Sequence, residues 1–142
     1  MAEPFRHIAC CLDGSPAGDA ALAAAMRMRA LGDGRLTLVH VVDPGVEASA
    51  GIATDAANDA IEEARLWMER MVALAPPCDG VLLDGNPATT VCAWARESGV
   101  DLLVVVRHRG RMEHLLVGSV AQHLAYHAPC PVMLVRPPLA AG

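Results

Sequence analysis

Lysine is absent from this 142-residue chain, and all 11 of its basic residues are arginine. A Walker A loop needs a lysine on the nucleotide phosphates, and Schiff-base or pyridoxal chemistry needs one as a nucleophile. The sequence therefore excludes both kinds of site. It also disfavours a receiver-type phosphorelay, which needs lysine too, and the first predicted strand ends in one carboxylate, Asp13, rather than a metal-binding cluster.

Aromatic side chains and long apolar runs are also scarce. Phe, Trp and Tyr make up 3% of the chain although 54% of it is hydrophobic, so the core must be aliphatic, which suits helices packed on a sheet. No apolar stretch reaches the roughly 18 residues of a membrane span, and no secretory leader is visible. We therefore expect one globular domain over residues 1–142, located in the cytoplasm, with no membrane partner.

Neither a basic surface nor a cysteine framework is indicated. The net charge of -5 argues against general binding to nucleic acids. The five cysteines are an odd number and form no C-x-x-C motif, so we predict no disulfide framework and no zinc ribbon. We interpret them as small buried apolar residues. They are Cys10, Cys11, Cys78, Cys92 and Cys130.

Short apolar runs alternate with segments of helical periodicity. The runs lie at residues 7–12, 35–42, 80–83, 101–106 and 131–135. Their continuous apolar character is typical of parallel strands covered on both faces. The alternating pattern βαβαβαβαβ predicts an α/β fold with a doubly wound parallel sheet and right-handed crossovers. Residues 44–53 have no pattern, and we interpret them as a loop that is either mobile or ordered by a partner or ligand.

Capping residues and apolar spacing predict four helices. Ser15 and Pro16 predict the N-cap and first residue of the first helix, and Asn86 and Pro87 predict the same for the third. A last helix is predicted to start near Gly118 and Ser119. The second helix has one apolar face, formed by Ile61, Ala64, Met68 and Met71.

The histidines do not suggest a metal centre. His123 and His127 have the spacing of two ligands on one helix face, but no third ligand is indicated, so we interpret them as surface or packed histidines. His7 and His40 lie in predicted strands, and we interpret them as making hydrogen bonds in the core or at an edge.

Five segments, taken together and in this order, resemble the universal stress protein family. They are LDGS at 12–15, LVHVVDP at 38–44, GNPA at 85–88, LLVGSV at 115–120 and HAPCPV at 127–132. Together they span nearly the whole chain. The resemblance implies a flavodoxin-like five-stranded sheet of order 3-2-1-4-5 and a homodimer paired through the last strand, Pro131 to Val135. In one branch of the family it also implies a bound ATP.

In that nucleotide-binding branch, an Asp at the end of strand one meets the adenosine. The backbone of a Val at the end of strand two meets the adenine. Asp13 and Val41 stand at the matching positions. The resemblance therefore implies that these two residues hold the nucleoside part of a ligand.

The family's phosphate loop, G-x-x-G, nine residues and then G-[S/T], is not intact. Gly118 begins the closing pair, but counting back 13 and 10 positions puts Val105 and His108 where glycines should stand. A shifted register uses Gly110 but puts Arg107 in the first glycine position and leaves seven residues before the closing pair. Glycine is needed there because phosphate must approach the backbone amides without an intervening Cβ.

The same loop carries a cluster of basic side chains instead. Guanidinium groups bind phosphate through paired donors, and the helix that starts at Ser119 adds free amides and the positive end of its dipole. One interpretation is therefore an anion or nucleotide site. The other is a solvated loop, or one that pairs with acidic residues of a second subunit. The cluster consists of Arg107, His108, Arg109, Arg111 and His114.

The leading interpretation is a small homodimeric regulatory protein of the stress response, with an unidentified regulatory partner, that binds ATP or another adenine nucleotide through a degenerate loop. The alternatives are an ATP or AMP sensor that grips phosphates with Arg107 or Arg109, and a slow nucleotide hydrolase. Spacing assembles no nucleophile with its base, so we assign no catalytic residue and no metal ligand. The candidate nucleotide-binding residues are Leu12, Asp13, Val41, Arg107, Arg109, Gly110, Gly118, Ser119 and Val120.

Overall fold

A computed structural model describes residues 4–42, 54–106 and 119–137. Within these ranges, five strands alternate with four helices. In chain order they are β1 (His7–Cys11), α1 (Gly18–Arg29), β2 (Arg35–Val42), α2 (Thr54–Leu74), β3 (Asp79–Asp84), α3 (Pro87–Glu97), β4 (Leu102–Val106), α4 (Ser119–His127) and β5 (Val132–Val135). The predicted loop at 44–53 and the arginine-rich segment at 107–118 lie outside the described residues.

All strands of this sheet run parallel, in the order β3-β2-β1-β4-β5. This confirms the flavodoxin-like α/β fold and the strand order that the family resemblance implies. Cys11 lies opposite Val39 of β2 and Val105 of β4, so the carboxyl ends of the three central strands meet at one edge. Among the helices that the structure describes, none combines the length and apolar character needed to cross a membrane.

The core has two layers because side chains alternate across the sheet. Ile8 and Cys10 face the layer under α1 and α2, whereas Ala9 faces the layer under α3 and α4. All five residues of β4 are buried. Burial on both faces explains the unbroken apolar runs of the sequence.

The start of α1 differs from the prediction. The helix begins at Gly18, and its N-cap is Ala17, which offers no side-chain cap. Ser15 lies in the preceding turn, because its N–H donates to Oδ1 of Asp13 at 2.9 Å and its carbonyl accepts from the N–H of Gly18 at 3.0 Å. The Asp13 carboxylate thus draws Ser15 into a turn of its own, and the prediction of a Ser15 cap with Pro16 as first helical residue was wrong.

The predicted start of α3 is confirmed. Oδ1 of Asn86 accepts from the N–H groups of Ala88 and Thr89, at 3.1 and 3.3 Å. After the helix, Gly99 adopts a φ of +67°, and the N–H of Val100 donates back to the carbonyl of Ala95. Both ends of α3 therefore carry residue types that are favoured at helix caps.

The predicted apolar face of α2 is buried over part of its length. Met68 and Met71 lie in the core, whereas Ile61 is 50% exposed. Close packing at the buried end requires glycine in β3, since a Cβ at Gly80 would come within 2.7 Å of Cγ of Met68. Spacing alone identified the face of α2, but it does not tell which turns lie over the sheet.

All five cysteines are free thiols. Cys10 and Cys92 are buried, and the other three are half-buried. Burial raises the pKa of each of the five thiols, and that of Cys11 to about 12. These thiols therefore stay protonated near neutral pH, consistent with the prediction that they are packing residues.

Candidate functional site

The site lies at the edge of the sheet where its strands end. From β1 the chain adds β2 and β3 on one side, and then crosses over to add β4 and β5 on the other. The winding direction therefore changes between β1 and β4. Ligands of open α/β sheets bind beyond the carboxyl ends of the strands at such a point.

A tight turn follows β1 at this edge. The N–H of Leu12 extends the ladder to the carbonyl of Val39 at 2.8 Å, and the chain then leaves the sheet. Gly14 has a φ of +84°, which a residue with a Cβ seldom adopts. With the Asp13–Ser15 hydrogen bond at 2.9 Å, the turn places the exposed carboxyl group of Asp13 at the edge.

Val41 presents its backbone to the same turn. Backbone polar groups along a strand point alternately to the two neighbouring strands. Because the carbonyl of Val39 faces β1, the N–H and carbonyl of Val41 also face the β1 side, beside Leu12 and Asp13. The structure therefore brings together the three residues predicted from the first two strands.

His40 ties the two strands at this edge. Its Nδ1 lies 2.7 Å from the carbonyl oxygen of Leu12. A carbonyl only accepts, so Nδ1 carries the proton and donates. The ring also meets Trp67 of α2 edge to face, with centroids 4.9 Å apart. The prediction that His40 makes a hydrogen bond in the core or at an edge is confirmed, but no sequence pattern indicates its partner or the contact with Trp67.

Ser15 supplies an unsatisfied polar atom to the turn. Its Oγ is buried and makes no hydrogen bond in the part of the chain that the structure describes. Buried hydroxyl groups are nearly always paired with protein, water or ligand. Sequence reasoning missed this atom because the same residue types serve as helix caps and as turn residues.

The second half of the predicted site is described only in part. Ser119 is the first residue of α4, which must begin at this edge because it leads back to the amino end of β5. Val120 follows it and packs, half-buried, against the core layer under α3 and α4. The four other predicted residues, Arg107, Arg109, Gly110 and Gly118, lie outside the described residues.

One residue that the two registers of the phosphate loop use differently, Val105, is described by the structure. Val105 is buried inside β4, where it pairs with Cys11 and with Leu134 of β5. A phosphate loop that began at Val105 would have to start within a strand. The register that starts at Arg107, directly after β4, is compatible with the sheet.

Metal ligands do not cluster in residues 4–42, 54–106 or 119–137, where no group of three His, Cys, Asp or Glu side chains could hold an ion. The rings of His123 and His127 do pack together, with centroids 4.5 Å apart.

Comparison with known proteins agrees with this fold. The model of the universal stress protein family matches residues 4–136. A universal stress protein of Thermus aquaticus is 32% identical over 136 residues, covering 93% of this chain and 99% of that protein. UspA of Lactobacillus plantarum has the same fold, with a TM-score of 0.81, 23% identity and coverage of 95% of this chain and 100% of that one. A universal stress protein of Archaeoglobus fulgidus, in complex with dAMP, also has this fold. Its TM-score is 0.69 at 21% identity, with coverage of 94% of this chain and 99% of that one. The chain belongs to the universal stress protein family.

Proposed function

We propose that this protein is a cytoplasmic regulatory protein that binds an adenine nucleotide, ATP or AMP, beyond the carboxyl ends of β1, β2 and β4. The observation that carries the proposal is the placement of the exposed Asp13 carboxyl group, just after β1, at the same sheet edge as the β1-facing backbone of Val41, where the winding changes. The complex of the Archaeoglobus fulgidus protein with dAMP supports adenine nucleotides as the ligand class.

The described residues suit the nucleoside part of such a ligand. A carboxylate accepts hydrogen bonds from ribose hydroxyls, as Asp13 would do, and the N–H and carbonyl of Val41 complement the edge of an adenine ring. The buried hydroxyl of Ser15 needs a polar partner, which a bound ligand or its water would provide.

The phosphates are assigned from the sequence. Arg107 and Arg109 follow β4 directly, and guanidinium groups bind phosphate oxygens through paired donors. The N-terminus of α4 adds its dipole. We propose that these groups replace the glycine loop of the family, and that the protein acts through nucleotide-dependent regulation rather than as an enzyme.

We also propose that two copies pair through β5. This strand is an outer strand of the sheet described here, and its Leu134 is 40% exposed. A paired edge avoids the uncontrolled association to which an open apolar strand is prone. A two-fold contact of this kind needs no second protein.

Calorimetric titration with ATP, ADP, AMP and cyclic AMP tests the nucleotide proposal. We expect micromolar binding of at least one ligand. The Asp13→Asn variant keeps an oxygen for the Ser15 N–H but loses the charge, and it should bind about 10-fold more weakly, within the range for a hydrogen bond to a charged group. Asp84→Asn is the matched control, because Asp84 is an exposed carboxylate at the end of the neighbouring strand β3. Wild-type protein that binds none of the four would overturn the proposal.

A further inference from the structure

Leu12 is fastened to β2 at both of its backbone polar groups. Its N–H donates to the carbonyl of Val39 at 2.8 Å, and its carbonyl accepts from Nδ1 of His40 at 2.7 Å. The first is an ordinary ladder bond. The second bond replaces the next ladder bond, because the ring of His40 occupies the carbonyl of Leu12, which a backbone N–H of β2 would otherwise approach.

His40 is itself held in place. By the alternation of β2 its side chain lies on the face of Leu36 and Leu38, under α1 and α2. There its ring meets Trp67 edge to face at 4.9 Å. It also adjoins the turn, since Cε1 of His40 lies 4.0 Å from the place where a Cβ of Gly14 would stand.

We propose that His40 is a positioning residue, which fixes the Leu12–Ser15 turn in the shape that binds ligand and leaves the backbone of Val41 to the nucleotide. The proposal rests on the proposed function for its ligand. Beyond Leu12 the turn has left the sheet ladder, and the His40 hydrogen bond is a side-chain contact that anchors the start of the turn to β2 beside the Leu12–Val39 ladder bond. Loss of that anchor would let the turn, and with it the carboxyl group of Asp13, move relative to β2.

Two substitutions at one position separate the hydrogen bond from the bulk of the ring. His40→Asn places an amide N–H close to the position of Nδ1, whereas His40→Leu fills the space without a donor. His127→Leu, at an exposed histidine of α4, is the control. The measurements are hydrogen exchange of the Ser15 amide without ligand, and the affinity for ATP and AMP by calorimetry.

We expect His40→Leu to speed exchange of the Ser15 amide and to weaken nucleotide binding, each by about 10-fold, and His40→Asn to recover most of both losses. The control should change neither. In the wild-type protein, ¹⁵N shifts of the imidazole should show the proton on Nδ1, which tests the same hydrogen bond even where a variant fails to fold.

Unchanged exchange and affinity in His40→Leu would overturn the proposal. A proton on Nε2, or failure of His40→Asn to recover what His40→Leu loses, would do so as well. If wild-type protein binds no adenine nucleotide, the proposed function fails, while the exchange and ¹⁵N measurements still decide whether His40 anchors the turn.

Discussion

His7 shows how one side chain can close the amino edge of the sheet, opposite to the candidate site. Its Nδ1 lies 3.1 Å from the carbonyl oxygen of Ser98 and its Nε2 lies 2.8 Å from the hydroxyl of Thr37. The carboxylate of Asp101 accepts from the backbone N–H groups of Arg6 and His7, both at 2.8 Å. The prediction that His7 makes core or edge hydrogen bonds is confirmed, and these bonds join β1, β2 and the loop before β4.

We predict that stability falls in mild acid because of His7. Burial is the largest cause and lowers the pKa of His7, and the charge of Arg35 acts in the same direction, whereas the hydrogen bond to the Ser98 carbonyl and, to a smaller extent, the carboxylate of Asp101 raise the pKa in part. The unfolded chain, with a histidine pKa of about 6.5, then binds the proton more readily than the folded protein. The stability that depends on His7 being neutral is fully present at a pH above the unfolded pKa of about 6.5. It is lost as the pH falls from there through the lowered pKa of the folded state.

Urea denaturation at pH 7.5 and at pH 5.5 measures this effect. The free energy of unfolding should drop at the lower pH, and His7→Gln, whose amide does not titrate, should reduce the drop. His127→Gln is the control because His127 is exposed. If the drop were the same in His7→Gln as in the wild type, the pH dependence would have another source.

At the scale of elements, helix boundaries depend on which backbone group each polar side chain reaches. Asn86 and Ser15 both precede a proline, and both read as N-caps in the sequence. In the structure Asn86 accepts from two N–H groups of α3, whereas Ser15 donates its own N–H to Asp13. Both residues follow an Asp-Gly pair, at 13–14 and at 84–85, so the local sequence pattern does not distinguish them. The difference lies in which N–H groups the polar side chains reach in the folded chain.

Substitution by alanine should therefore lower stability at Asn86 but hardly at Ser15. Asn86→Ala should lower the free energy of unfolding by about 1 kcal/mol, since two N–H groups lose their acceptor. Ser15→Ala should change it by less than about 0.5 kcal/mol, because the hydroxyl removed has no partner in the described chain. Urea denaturation measures both, with Asn86→Asp as a control that keeps a capping oxygen.

A loss of about 1 kcal/mol or more in Ser15→Ala would mean that its hydroxyl does cap α1. Equal stability of Asn86→Ala and wild type would remove Asn86 as the start signal of α3.

At the scale of the whole molecule, the sequence predicted the strands and the layers, because a sheet covered on both faces leaves unbroken apolar runs such as 101–106. The strand order came from the family resemblance, since periodicity does not say which strands are neighbours. Asp13 and Val41 were predicted from the same resemblance. The contact between His40 and Leu12 could not be predicted, because it depends on the register of β1 against β2.

The register of the outer strand β5 against β4 tells which backbone groups of β5 point away from the sheet. The carbonyl of Pro131 accepts from the N–H of Leu103 in β4. By alternation Met133 also faces β4, whereas the backbone groups of Val132 and Leu134 face away from the sheet. A second copy that pairs with β5 would therefore form its hydrogen bonds with the backbone groups of these two residues.

Leu134→Pro tests this pairing, because proline removes one outward N–H and leaves the ladder to β4 intact, as tolerated on outer strands. We expect wild-type protein to sediment as a dimer and Leu134→Pro as a folded monomer with an unchanged far-UV circular dichroism spectrum. Leu134→Ala keeps the N–H while it shortens the exposed side chain, so a dimer that survives this change depends on backbone pairing. A Leu134→Pro variant that stays dimeric would place the subunit contact elsewhere, and a monomeric wild type would rule out the homodimer.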